Sequence, residues 1–182
     1  IEDFLKIRVG LISQSPGVRD MVFSTDQGIV VDHTFIQANF SYTQRQKESK
    51  FYRAWFKKNG FKTARFPKKF KFEGGDFLLW GDKILAGYGF RTTKNSHKEI
   101  ARIIRKEAIS LELVDPYLYH LDMAIFPLNK QTLVYYPGAF SSSSCRLIEK
   151  KAKLAIKASR RDALNLVLNS IIYQKKIITK QG

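Results

Sequence analysis

The chain has 182 residues, 44% hydrophobic and 13% aromatic, which suits one globular domain with its own core and excludes a disordered one. No apolar run approaches the roughly 20 residues of a membrane span, and a single cysteine excludes an internal disulfide framework and suits a reducing cytoplasm. The net charge of +16 would draw nucleic acid or an anionic membrane if it were concentrated, but the denser runs (Lys57-Lys58, Lys68-Lys69-Phe70-Lys71, Lys150-Lys151-Ala152-Lys153) are scattered over loops and element ends, so a solvated basic surface is expected and nucleic acid is set aside as a partner.

The opening Ile1-Glu2-Asp3-Phe4-Leu5 is acidic and mixed, with neither Met nor a signal peptide, and reads as a start inside a longer polypeptide. Met21–Ser24, Gly28–Val31 and Thr34–Phe40 read as strands. A helix is expected over Gln44–Lys58, with Phe51, Tyr52, Trp55 and Phe56 on one face and Asn59-Gly60 stopping it, followed by a strand over Phe61–Phe66. The order then recurs. Asp76–Trp80 and Lys83–Tyr88 form a hairpin across Gly81-Asp82, Ser96–Glu107 carries Ile100, Ile103 and Ile104 at helical spacing, and Ile109–Val114 is a strand. A third unit takes Met123–Pro127, Gln131–Tyr135, a helix near Ser143–Lys151 and Lys153–Lys157; a fourth opens with Leu166–Tyr173 and Lys176–Thr179. A ββαβ order given three times and begun again implies a ring of modules rather than a doubly wound sheet.

Polar residues keep the same period. Asp26, Glu73, His120 and Asn169 stand near the start of successive strand pairs, 47, 47 and 49 residues apart. In a ring, matching positions face one axis, so acid, acid, imidazole and amide are expected to converge on one pocket. Taken singly, Asp26 also reads as a turn residue beside Gly28, and Gly74-Gly75 as a place where backbones pass closely. His33 and His97 are expected to be structural.

Three motifs carry a resemblance: Asp20-Met21-Val22-Phe23-Ser24-Thr25-Asp26, Phe72-Glu73-Gly74-Gly75-Asp76 and Tyr119-His120-Leu121-Asp122, supported by Arg45-Gln46-Lys47-Glu48, Arg91-Thr92 and Tyr136-Pro137-Gly138-Ala139-Phe140. In this order and spacing they resemble the guanidino-group-modifying enzymes, the superfamily of amidinotransferases, arginine deiminases and dimethylargininases. The resemblance runs from about Gly17 to Asn169. It implies the pentein fold, an α/β propeller of five ββαβ modules, of which residues 1–182 would form a single incomplete domain of about three and a half.

The chemistry of that superfamily explains the residue types. A guanidinium is cationic at physiological pH and its carbon is deactivated by resonance, so an enzyme clamps it with carboxylates, attacks it with a thiolate and protonates the departing amine. The resemblance implies Asp26 and Asp122 as clamps, Asp76 as a further substrate-binding acid, and Glu73 as a ligand of the substrate nitrogens or as the group that orients the imidazole. It implies His120 as the general acid that later activates water, and Arg91 as the partner of a substrate carboxylate. Arginine or a methylated arginine would be the substrate, with water or an amine as acceptor, no cofactor and no metal. The superfamily's nucleophilic cysteine belongs to the fifth module; Cys145, at an expected helix start in the third, does not match it, so this chain alone is expected to be inactive. An open ring edge leaves room for a homodimer. The alternative reading is a non-catalytic pentein that binds RNA or the ribosome, as a ribosome-associated initiation factor of that fold does, but such a protein has no need of Glu73, His120 and Asp122 together.

Overall fold

The structure, a computed structural model, describes residues 6–64 and 66–180; Ile1-Glu2-Asp3-Phe4-Leu5 and Arg65 of the expected Phe61–Phe66 strand lie outside them. The first module comprises β1 (Gly28–Val31), β2 (Thr34–Gln37), α1 (Ser49–Lys58) and β3 (Lys62–Ala64). The second comprises β4 (Phe77–Trp80), β5 (Lys83–Tyr88), α2 (Ser96–Ile104) and β6 (Glu107–Glu112). The third comprises β7 (Ile125–Pro127), β8 (Thr132–Tyr135), α3 (Ser142–Lys151) and β9 (Leu154–Lys157). A short α4 (Arg160–Leu164) then leads to the hairpin β10 (Ile171–Tyr173) and β11 (Lys176–Ile178). Each full module is a three-stranded sheet in which an antiparallel hairpin is joined, through the helix, to a parallel third strand. The hairpin turns carry the backbone that tight two-residue loops demand: Asp32 and His33 have φ of 45° and 61°, and Gln174 and Lys175 of 47° and 64°.

Side chains of β5 alternate between two cores. Ile84 and Ala86 face a cluster with Ile36, Phe40, Phe72 and Ile100, whereas Leu85 faces one with Leu111, Leu121, Ile125 and Tyr135. The middle sheet is therefore covered on both faces, which is why β5 reads as an unbroken apolar run rather than an alternating one. Among the described residues no helix is long and apolar enough to cross a membrane.

Several boundaries differ from the sequence reading, each for a local reason. Met21–Ser24 is not a strand: Arg19–Val22 is a 3-10 turn, with Phe23 N–H donating to Asp20 O at 3.1 Å instead of to a neighbouring strand. The expected helix over Gln44–Lys58 divides into a tight turn at Thr43–Arg45 and α1, which starts at Ser49. α2 ends at Ile104 because Arg105 adopts a left-handed conformation (φ 53°), and β6 begins two residues before the expected Ile109. The stretch expected as a strand from Leu166 pairs only from Ile171; α4 before it starts with a reciprocal cap between Ser159 and Asp162.

Candidate active site

A tight 3-10 turn precedes the first strand of each module: Thr25–Gln27, Gly74–Asp76 and Leu121–Met123. These turns pack together at one end of the sheets, and the two glycines of the Phe72–Asp76 motif allow it. A Cβ on Gly74 would stand 2.0 Å from the Thr25 carbonyl oxygen and 2.4 Å from that of Gly28. A Cβ on Gly75 would stand 2.9 Å from His120 Nδ1, 3.1 Å from Asp26 Oδ1 and 3.2 Å from Asp122 Oδ2. Gly74 thus lets two modules touch through their backbones, and Gly75 leaves the space in which three functional groups meet.

His120 lies at the centre. Its Nδ1 is 3.3 Å from Asp26 Oδ1 and its Nε2 is 3.1 Å from Glu73 Oε2. Only an imidazolium donates at both nitrogens, so this geometry selects the protonated ring. Burial alone would lower its pKa, but the hydrogen bond to Glu73 and the charges of Asp76, Asp26 and Asp122 outweigh burial and raise it to about 9. Desolvation pushes the other two acids up, Asp122 to about 6 and Asp76 to about 7, against the pull of His120.

All three shifts have one sign. A group whose folded pKa is raised holds its proton more tightly when folded, so its contribution is intact below the unfolded pKa and lost as pH rises through the folded one. Folding stability is therefore expected to fall between pH 6.5 and 9, with His120, moved from 6.5 to about 9, supplying on the order of 3 kcal/mol of the change. Urea titrations across that range, with His120→Asn as reference, measure it; a parent whose stability rises with pH would show that the ring is not held as the imidazolium.

Arg45, which enters the sequence resemblance only as supporting similarity, organises the site. Its Nη1 donates to Asp26 Oδ2 at 3.0 Å and lies 3.4 Å from Glu73 Oε2, its Nε donates to Glu48 Oε2 at 3.1 Å, and its guanidinium rests 4.3 Å over the Phe40 ring. Glu48 also accepts from Gln27 Nε2 at 2.9 Å. No sequence signal marks it: the tight turn before α1 sets its side chain into the cluster, whereas a helix running on from Gln44 would carry that side chain on a helical face.

The other expected residues divide. Asp26, His120, Asp122, Arg91 and Asn169 line one cavity of about 450 Å³, together with Arg45 and Tyr119. Glu73 is fully buried behind His120, its backbone N–H donating to Thr92 Oγ1 at 3.2 Å and its second oxygen 3.7 Å from Arg91 Nη1. Asp76, expected among the substrate-binding acids, is only 1% exposed and sits outside the cavity wall; its Oδ1 accepts from the Leu121 N–H at 3.0 Å, which fixes the turn that carries His120 and Asp122. Arg91 lies between the rings of Tyr42 (4.4 Å) and Tyr119 (4.5 Å). The cavity wall carries both charges: Asp20, Asp26 and Asp122 share it with Arg45 and Arg91. His97 lies elsewhere, buried between Ser110 Oγ and Gly87 O, its pKa lowered by burial to about 4.

Asp26, Glu73 and His120 each bring a potential metal-ligand atom within 4.8 Å of the others. Arg45 already donates to Asp26 Oδ2 and Glu73 Oε2, setting a cation beside these acids, and an imidazolium has no lone pair to offer. The cluster reads as a proton-holding ion network. Cys145, the only thiol of the chain, lies in the first turn of α3 with Sγ donating to Pro137 O at 3.4 Å, outside the cavity; burial and Glu149 push its pKa up, away from the thiolate.

The arginine deiminase family matches residues 16–180. The chain is 37% identical over 179 residues to the bifunctional arginine dihydrolase/ornithine cyclodeaminase AgrE of a Nostoc species, covering 96% of this chain and 26% of that protein. It is 36% identical over 165 residues to N(G),N(G)-dimethylarginine dimethylaminohydrolase of Mycobacterium tuberculosis, covering 90% of this chain and 54% of that one. The crystal structure of an AgrE cysteine-to-alanine mutant with L-arginine superposes with a TM-score of 0.93 at 36% identity, over 99% of this chain and 28% of that chain. The chain thus spans between about a quarter and about half of the length of these two relatives. With its three ββαβ modules and the convergence of their turns on His120, the chain belongs to the arginine deiminase family, among the guanidino-modifying enzymes of pentein fold.

Proposed function

We infer that the site serves hydrolysis of the guanidino group of arginine or a methylated arginine, and that these 182 residues supply substrate binding and proton transfer. The observation that carries the reading is His120, held as an imidazolium between Asp26 and Glu73 at the wall of a cavity that also presents Asp122 and Arg91. Asp26 and Asp122 set anionic oxygens around a planar cation, and an α-carboxylate at the far end of the substrate meets Arg91, which the two tyrosines hold in place. A thiolate adds to the guanidino carbon, His120 gives its proton to the departing nitrogen as the C–N bond breaks, and the neutral ring then accepts a proton from the water that attacks the amidino carbon and displaces the sulfur as thiolate. Glu73 and Asp26 keep the ring oriented in both states. The attacking thiolate is not Cys145. Relatives support this division of labour: the AgrE complex with L-arginine was obtained with a cysteine-to-alanine mutant.

Calorimetric titration of the protein with L-arginine, dimethylarginine and agmatine tests it. The two amino acids are expected to bind one per chain, and Asp26→Asn or Asp122→Asn to weaken each by roughly tenfold or more, the worth of one lost charge-assisted bond. Arg91→Ala is expected to weaken arginine but not agmatine, which has no carboxylate. Cys145→Ser is expected to leave binding and any ureido product unchanged. Equal binding by all the aspartate variants would sink the reading.

A further inference from the structure

A second cavity, of about 420 Å³, opens between α1 and the loop from Phe66 to Phe72. Lys50 and Arg53 reach it from α1, three residues apart and so on one helical face, and Gln46 reaches it from the turn before the helix. Lys68 and Lys71 reach it from the loop, while the buried Ala38, Phe40 and Phe66 give it an apolar floor. No carboxylate lines this cavity. Its four cations take part in no ion pair among the described residues, whereas Arg45, in the turn before α1, has four acids around it. Arg53 goes further: its Nε is closed off from solvent and has no acceptor among the described residues. A small turn of the guanidinium would set Nε and a terminal N–H side by side toward an incoming oxyanion, the fork geometry that suits phosphate.

The loop is pinned rather than loose. Asn39 and Phe72 exchange two backbone hydrogen bonds of 3.1 Å, the Asn39 side-chain amide donates to the Lys68 and Phe70 carbonyls, and Thr93 N–H donates to Lys71 O at 2.9 Å. The backbone that carries two of the cations is therefore fixed before any ligand arrives, which lowers the ordering cost of binding. Like charges gathered at an unpaired concave site repel one another, and an anion removes that repulsion.

We propose that this cavity binds a phosphate-bearing small molecule, its phosphate held by Lys50, Arg53, Lys68 and Lys71 and its organic part resting on Phe66 and Ala38. The apolar floor and the volume favour an organic phosphate over the bare ion. Nucleic acid is the less suited partner, since its backbone needs cations along a track and these four converge on one hollow.

The protein is titrated with inorganic phosphate, adenosine monophosphate and adenosine at constant ionic strength set with sodium chloride. One molecule of the nucleotide per chain is expected to bind saturably, inorganic phosphate to compete with it, and adenosine not to bind. In Arg53→Gln with Lys71→Gln the nucleotide is expected to bind about tenfold more weakly or worse, with the melting temperature unchanged as the sign of an intact fold. Saturation by neither phosphate nor the nucleotide would overturn the proposal, as would nucleotide binding that the double variant leaves intact. A single-stranded oligonucleotide that binds more tightly than the nucleotide, and is weakened as much by Lys150→Gln with Lys153→Gln as by the cavity variant, would overturn it in favour of a diffuse nucleic-acid surface.

Discussion

Replacement of Arg45 by alanine is expected to lower the unfolding free energy by about 3–5 kcal/mol, the range found when one partner of a buried ion cluster is removed. The guanidinium is 7% exposed and stands against Asp26, Glu48 and Glu73, of which Glu48 and Glu73 are 2% and 0% exposed. Without it these carboxylates face each other in a desolvated site, with Gln27 beside Glu48, His120 beside Asp26 and Glu73, and Arg91 3.7 Å from Glu73 as the remaining partners described. Lysine is expected to recover less than half of the loss, because one ammonium cannot span Nε and Nη1 contacts that point to different acids. Urea unfolding of the parent, Arg45→Ala and Arg45→Lys at pH 7.5 measures both losses. An alanine variant within 1 kcal/mol of the parent at pH 7.5, inside the spread of an ordinary surface substitution of roughly 0.5 kcal/mol and its error, would mean that the cluster does not depend on its cation.

The modules could be read from the sequence because each repeats local signals: an apolar run, a turn pair such as Gly81-Asp82, and a helix with Ile100 and Ile104 on its buried face. The site could be read because its residues inherit that period. Asp26, Glu73 and His120 do not occupy equivalent places, however. Asp26 lies within its 3-10 turn, while Glu73 and His120 each stand one residue before theirs, in extended backbone. The spacing of 47 between Asp26 and Glu73 therefore brought together the right residues without their geometry. Arg45 was hidden for the opposite reason. Its side chain enters the acid cluster only because the chain makes a tight turn before Ser49, and helix propensity, which favoured one continuous helix from Gln44, carries no information about that turn. Asp76 shows the limit of motif reading in another way: it stands two residues after Gly74 in a motif that belongs to the site, but it lies outside the cavity wall with one oxygen on the Leu121 N–H.

The two adjacent glycines of that motif are expected to fail differently, and Gly74→Ala should be the more damaging by far. Its new methyl group would meet the carbonyl oxygens of Thr25 and Gly28 at 2.0 and 2.4 Å, and neither can move without shifting the turn that carries Asp26 and the start of β1. Relief requires the first and second modules to separate by something like an ångström, through a contact made of backbone alone. The loss is expected to exceed about 3 kcal/mol, the upper end of ordinary overpacking. Gly75→Ala meets the ends of side chains instead: His120 Nδ1 at 2.9 Å, Asp26 Oδ1 at 3.1 Å and Asp122 Oδ2 at 3.2 Å. These can give way by rotating, so its stability loss should stay near 1–2 kcal/mol, a typical single-site value. The rotation spoils the alignment of the three groups, and arginine binding should weaken by roughly tenfold or more, since charge-assisted bonds depend on distance and angle. Thermal melts and arginine titrations of the two variants side by side separate the effects. A Gly74→Ala protein that melts with the parent would show that the modules are not in backbone contact there, and a Gly75→Ala protein that binds arginine as the parent does would show that His120, Asp26 and Asp122 do not meet around this glycine.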